Sequence, residues 1–235
     1  MMKKIKTLGL IFLFLCEINF SEAQEFLPEK PLKPENVGFY TGGHASTNGL
    51  GINFGYILNK RFTFRTGYET MNLKHNFDFE ENDVSYNADL QYKTGGIFLF
   101  ADYYYTSRLY ITLGGIINNF QPDVSGYASS DMKYGDIYIP AEDVGTFNFK
   151  VEPELKYSPY AGAGIRNFLG KNEKLVYSFE TGFYYMGAPK FAIATTGLLA
   201  PTSDPAHKQK EFLEKQFDAY KIYPILKFNL AFKIF

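Results

Sequence analysis

The chain has 235 residues with 24 Lys and Arg against 25 Asp and Glu, a formal net charge of −1. Such a balance offers no basic surface to release counter-ions from a nucleic acid, which excludes nucleic acid as a partner. One cysteine and three scattered histidines (His44, His75, His207) supply neither a disulfide nor the ligand spacing of a metal site, and no cofactor motif accompanies them.

Hydrophobic residues make up 46 % of the chain, yet the mean hydropathy is only −0.21. This is too polar for helical membrane spans and suits strands with one greasy and one polar column. Aromatic residues reach 18 % without a single Trp, so any interfacial girdle has to be built from Tyr and Phe.

The amino terminus reads as a secretory signal. Three lysines precede an apolar run that ends at Cys16, and Ser21-Glu22-Ala23 places small residues where a signal peptidase inspects them, predicting cleavage after Ala23. A lipoprotein anchored through Cys16 is the rival, disfavoured by the large Leu15 before it. Residues 1–23 are thus expected to be a signal peptide, residues 24–36 a periplasmic segment and residues 37–235 a β-barrel.

Alternation with a period of two gives eight candidate strands. The first, residues 38–45, is weak and Gly-rich. The second sets Leu50, Ile52, Phe54, Tyr56 and Leu58 against Gly51, Asn53 and Gly55. In the third, Phe62, Phe64, Thr66 and Tyr68 point outward while Thr63, Arg65, Gly67 and Glu69 point inward. The fourth is expected to show Tyr86, Ala88, Leu90, Tyr92, Phe98 and Phe100 outward and Asn87, Asp89, Gln91 and Lys93 inward. The fifth uses Leu109, Ile111, Leu113 and Ile117. The sixth sets Ala161, Ala163 and Ile165 outward against Tyr160, Gly162, Gly164 and Arg166. The seventh sets Phe179, Thr181, Phe183 and Tyr185 against Ser178, Glu180, Gly182 and Tyr184. In the last, every even position from Pro224 to Ile234 is apolar and the odd column holds Lys227, Asn229 and Lys233. Alternation of this kind ending on an aromatic residue, Phe235, is how the closing strand and assembly signal of an outer-membrane barrel are written.

Connection lengths fit the same plan, because such barrels alternate short periplasmic turns with longer external loops. Residues 59–60, 104–107 and 169–174 are the short connections. Residues 72–83, 119–156 and 187–220 are the long ones, and Asn48-Gly49 suits a tight hairpin. Residues 205–220 read as one short helix in the last external loop, capped by Asp204, with Phe212, Leu213, Phe217 and Tyr220 as its apolar stripe. A lipocalin-like soluble barrel with apolar residues inward would show the same period. The signal segment and the charges in the inward column decide for the membrane.

From Ser158 onward, PYAGAGIRN, then YSFETGFYYMGAPKFAIATTG, then EFLEKQFDAYKIYPILKFNLAFKIF resemble a family of uncharacterised outer-membrane β-barrel proteins. Earlier pieces (GLGINFGY, FRTGYE, and Ala101-Asp102-Tyr103) fall in the order expected of it. The chain departs at its end, where Phe232-Lys233-Ile234-Phe235 leaves Phe235 in the inward column. The resemblance implies an all-β, eight-stranded antiparallel transmembrane barrel in the outer membrane of a Gram-negative bacterium and brings no catalytic residue with it.

Eight strands enclose a space just wide enough for side chains, so Arg65, Glu69, Asp89, Lys93, Arg166, Glu180 and Lys227 are expected to pair into a network that fills the lumen. Inward glycines at 55, 67, 162, 164 and 182 are the one feature favouring a cavity. The sharpest enzymatic candidate is His44-Ala45-Ser46, whose spacing puts both side chains on one strand face, as in lipid A deacylases that pair a His and a Ser with a carboxylate. No acid lies in the next strand, and the structural alternative is a polar rim.

The expectation is therefore a monomeric, structural or ligand-contacting envelope protein, not an enzyme, whose partners are outer-membrane lipid and the barrel-assembly machinery. The runner-up is a narrow pore, or a small transport barrel shaped like OmpW that passes a small apolar molecule sideways. A sealed lumen disfavours that alternative.

Overall fold

The computed structural model describes residues 37–169 and 174–234. The expected signal peptide, the segment 24–36 and Phe235 lie outside the described residues. Two tight hairpins begin the fold: β1 (Gly38–Ser46) pairs with β2 (Gly49–Ile57), which pairs with β3 (Phe62–Glu81). At the second turn, Asn59 Oδ1 accepts from the Arg61 and Phe62 amides at 2.8 and 2.9 Å. Gly49 sits at φ +131°, and any Cβ there would strike the Thr70 backbone, so the first turn accepts only glycine.

From β3 the chain turns into β4 (Val84–Tyr104) and then β5 (Leu109–Asn118). Two later strands, β10 (Tyr157–Leu169) and β11 (Leu175–Tyr185), and the final β13 (Ile222–Lys233) complete the set. Antiparallel ladders run β1–β2–β3–β4–β5–β10–β11–β13 and return from β13 to β1, so these eight strands form a cyclic sheet.

The ring is uneven. β3 and β4 are 20 and 21 residues long and continue well past the residues that pair with β2 and β5. The expected loop over residues 72–83 is instead a ladder unbroken from Phe62↔Tyr103 to Glu81↔Val84, closed by Asn82-Asp83 at φ 53° and 61°. Two left-handed residues make the turn that matches strand twist, and Asn and Asp tolerate that conformation best after Gly.

The N-terminal half of β4, above the ring, then seeds an extension of the same sheet. β6 (Asp123–Ala128), β9 (Thr146–Glu152) and β12 (Lys190–Thr195) add to it in that order. A separate hairpin of β7 (Met132–Tyr134) and β8 (Ile137–Ile139) and the one-turn α1 (Ala141–Val144) lie between β6 and β9. This extension has its own core of Val84, Tyr86, Ala88, Ala128, Val144 and Phe147. After β12, Asp204 accepts from the Ala206 amide to start a short 3-10 turn, and α2 (Gln209–Phe217) follows. Of its expected stripe, Phe217 packs on Phe191 at 5.5 Å while Phe212 and Tyr220 stay exposed.

Inside the ring the period of two sorts the side chains as read from sequence on β2, β3, β10, β11 and β13; Gly-rich β1 offers no column to read, and β4 departs. There Phe98 and Phe100 are buried and Ile97 and Leu99 face out, the reverse of the expectation. The run Ile97-Phe98-Leu99-Phe100 is apolar in both columns, so alternation cannot orient it. Asp102, in the same column as the two Phe rings, marks the interior.

Candidate functional site

Three acids and three cations are buried within the ring: Glu69, Asp102 and Glu180 with Arg65, Arg166 and Lys227. Each sits in the inward column of its strand, which is how a barrel brings residues remote in sequence to one axis.

Glu69 on β3 organises the upper cluster. His44 Nε2 lies 2.9 Å from its Oε2, the Ser46 hydroxyl donates to the same oxygen at 3.2 Å, and Asn48 Nδ2 and the Tyr184 hydroxyl donate to Oε1 at 2.8 and 3.1 Å. Lys227 Nζ stands 3.0 Å from Oε2, an ion-pair contact without hydrogen-bond alignment, and lies 4.4 Å over the Phe98 ring. On the far side of the imidazole, Asn53 Nδ2 approaches His44 Nδ1 at 3.2 Å and donates to Asn229 Oδ1 at 2.6 Å. Thr94 Oγ1 donates to the side-chain Oδ1 of Asn48.

Arg65 organises the lower cluster by bridging two acids. Its Nη2 donates to Asp102 Oδ1 at 2.7 Å and to Glu180 Oε2 at 2.5 Å, and its Nε lies 2.7 Å from Asp102 Oδ2. Hydroxyls add to both acids: Tyr160 donates to Glu180 Oε1 at 2.7 Å, while Tyr110 at 3.0 Å and Thr112 at 2.8 Å share Glu180 Oε2 and Asp102 Oδ1 with Arg65. Arg166 stands apart, donating to Thr63 Oγ1 at 3.0 Å and stacking 3.9 Å from the Tyr104 ring.

A ladder of rings separates and seals these clusters. Phe98 stacks on Phe100 at 4.7 Å, Phe100 on Tyr160 at 4.5 Å, and Tyr160 meets Tyr184 at 4.9 Å. The inward glycines seat these rings and do not open a cavity. A Cβ on Gly162 or Gly182 would fall 2.6 or 2.5 Å from the Tyr160 hydroxyl, one on Gly164 would meet Tyr110 at 2.5 Å, and one on Gly67 would meet Phe98 at 2.7 Å. A cavity of about 30 Å³ lies beside Arg166 and Arg65, room for about one water.

Of the seven interior charges expected from sequence, the ring brings Arg65 and Glu180 together, and Glu69 and Lys227 together. Arg166 is inward but distant from any acid in hydrogen-bond terms. Asp89 and Lys93 are not in the lumen. Both are exposed on the upper half of β4, where the column expected to face inward faces solvent above the ring. His44 and Asp102 were missed as interior residues. The signal for His44 was Gly51 opposite it, whose missing side chain leaves room for the imidazole. In the His-Ala-Ser motif, Ser46 donates to Glu69 and to the Gly49 carbonyl, so both side chains compete for one carboxylate and the serine is not relayed through the histidine.

Two outer features complete the geometry. A groove of about 570 Å³ lies where β3 and β4 leave the ring, with Asn72, Lys93, Asn118, Gln121, Glu152 and Lys156 among its lining residues. Lys150 bonds Glu152 at 2.9 Å and holds its carboxyl below the usual carboxylate range. Around the ring, outward columns expose Leu50, Ile52, Phe54, Phe64, Leu99, Ile111, Leu113, Ile165, Phe179, Leu226 and Phe232, with Leu50 at 69 % and Leu99 at 65 % accessibility.

No protein-family model matches the chain, and no curated protein matches it in sequence. Among solved structures, it is similar to Acinetobacter baumannii CarO, with a TM-score of 0.54 and 17 % identity over 86 % of this chain and 100 % of that one. It is likewise similar to Acinetobacter baumannii CarO2, with a TM-score of 0.54 and 18 % identity over 84 % of this chain and 98 % of the other. At these identities the likeness is one of fold.

Proposed function

We propose that the chain is an eight-stranded outer-membrane β-barrel with a structural or ligand-contacting role at the envelope and a lumen that does not conduct. One observation carries this reading: the ring exposes a belt of aliphatic and aromatic side chains on its outside and keeps its ion pairs, packed among aromatic rings, inside. A soluble barrel has the opposite arrangement. An apolar band encircling a water-exposed monomer would far exceed the few hundred Å² that such surfaces tolerate, whereas hydrocarbon solvates it at no cost. Cyclic strand pairing meets the second demand of a bilayer, since no ring strand leaves an open edge toward lipid. No helix among the described residues is long and apolar enough to cross a membrane, so strands alone would do so.

The filled lumen supports the structural role over the pore. Ring stacking and two charge clusters occupy the axis, and passage would require breaking buried ion pairs. Lipid around the belt and the assembly machinery that inserts such barrels are the partners this reading implies. The groove at the rim is where it places contact with a ligand.

The test is electrophoretic and electrical. Purified from an outer-membrane fraction, the unheated protein should migrate faster on a detergent gel than the boiled one, and planar bilayers containing it should show no steady unitary conductance. Equal mobility would contradict a closed barrel, and a stable conductance would replace the structural role with a pore.

A further inference from the structure

The extended hairpin leaves one long strand edge uncovered. β2 accompanies β3 only as far as Leu50↔Thr70, and among the described residues no strand pairs with residues 71–81 on the side away from β4. Proteins normally keep such edges short, charge them, or break them with Pro or a bulge; this segment is long and has neither Pro nor bulge, and Lys74, Asp78 and Glu80 on one face mix both signs, so they can be paired as well as repel. One of its faces is apolar: Leu73, His75, Phe77 and Phe79, opposite Tyr92, Leu90, Ala88 and Tyr86 of β4. Over β4, β6 and β9 that face is buried in the extension's core, but it ends bare on β3, with Leu73 at 57 % accessibility and Phe77 and Phe79 also exposed. The other face carries Asn72, Lys74, Asn76, Asp78 and Glu80.

We propose that this edge pairs antiparallel with the same segment of a second copy of the chain, centred on Asn76. The charge pattern selects both the occupant and its direction. In that register Lys74 faces Asp78 of the other copy twice, Leu73 faces Phe79 twice, and His75 faces Phe77 twice, with no like charges opposed. Parallel pairing in register would oppose Lys74 to Lys74, Asp78 to Asp78 and Glu80 to Glu80, each destabilising. A centre one residue further on, at Phe77, would set Leu73 against Glu81. Antiparallel pairing also places the two rings at opposite ends of the joined strands, roughly 40 Å apart at about 3.3 Å per residue. Taken with the membrane location proposed above, the contact joins copies in facing membranes.

Cysteine cross-linking reads the register directly, because Cys16 is the only native cysteine. In a Cys16→Ser background in detergent, mild oxidation should convert most of Asn76→Cys to a disulfide dimer. Asn72→Cys and Glu80→Cys should each stay monomeric alone and cross-link when mixed, since a disulfide needs Cα atoms within about 7 Å. Lys74→Glu should lower the dimer yield of Asn76→Cys at least about fivefold, and adding Asp78→Lys should restore it. Equal cross-linking at all three positions would overturn the antiparallel register, and no cross-linking, or cross-linking of Asn76→Cys only to other envelope proteins, would overturn the second copy. These outcomes do not depend on the membrane. For the facing-membrane arrangement, vesicles carrying the native protein should cluster and those carrying Lys74→Glu should not; dimers in detergent without clustering would overturn that arrangement alone.

Discussion

Glu180 receives Arg65, Tyr110 and Tyr160 at once, and all three are buried in the lumen. Removing the carboxylate by Glu180→Ala leaves Arg65 paired with one acid, Asp102, besides the Thr112 hydroxyl at 3.3 Å, and two tyrosine hydroxyls without their acceptor. It should cost about 3 kcal/mol in urea unfolding from detergent. Because the two charges are coupled, Arg65→Ala with Glu180→Ala should cost clearly less than the sum of the single changes. Strict additivity would separate the pair. Gly182 tests the packing in the same region without touching a charge. Its Cβ position is taken by the Tyr160 hydroxyl, so Gly182→Val should destabilise by about 1–3 kcal/mol through overpacking. A neutral outcome would mean that the interior has slack at the ring ladder.

At the level of elements, the two columns of a strand are legible in sequence when one is polar and the other greasy. β13 shows this plainly: Leu226, Phe228, Leu230 and Phe232 face out, and Lys227 and Asn229 face in. β4 defeats the same logic because its ring portion is apolar on both sides and its polar column lies above the ring, so alternation sends Asp89 and Lys93 to a lumen that they never reach. The β3–β4 connection was misjudged for a related reason. Residues 72–83 are polar on one face and look like a loop, but their other column of Leu73, Phe77 and Phe79 continues the strand. Of the interior site, Arg65, Glu69, Glu180, Arg166 and Lys227 could be read from alternation. His44 could not, since Gly-rich β1 has no greasy column to orient it.

The long segment 119–156 also turns out to be structured, which sharpens where a protease can cut. Lys133 lies in the small β7–β8 hairpin beside exposed Ile137 and Tyr138, whereas Lys150 lies in β9, paired on both sides by β6 and β12. Trypsin added to intact cells should therefore cleave after Lys133 and spare Lys150. Cleavage at Lys150 first would mean that the extension does not form, and cleavage at Lys171, which follows β10 in sequence and is expected in a short periplasmic connection, with Lys133 spared, would mean that the orientation is inverted.

For the whole molecule, the deciding property is which side of the ring meets hydrocarbon. The absence of any native Trp makes a single introduced Trp an unambiguous reporter of its surroundings. The outward Leu113, at 62 % accessibility on β5, and the outward Leu226 on β13 should both tolerate the change. Tyr138→Trp on the β7–β8 hairpin supplies the water-exposed reference. In vesicles containing brominated lipid, fluorescence from Leu113→Trp and Leu226→Trp should be strongly quenched and blue-shifted, while Tyr138→Trp should be quenched by iodide and spared by the lipid. Iodide quenching at Leu113→Trp and Leu226→Trp as strong as at Tyr138→Trp, with no effect of bromine, would place the apolar belt in water and contradict the membrane barrel.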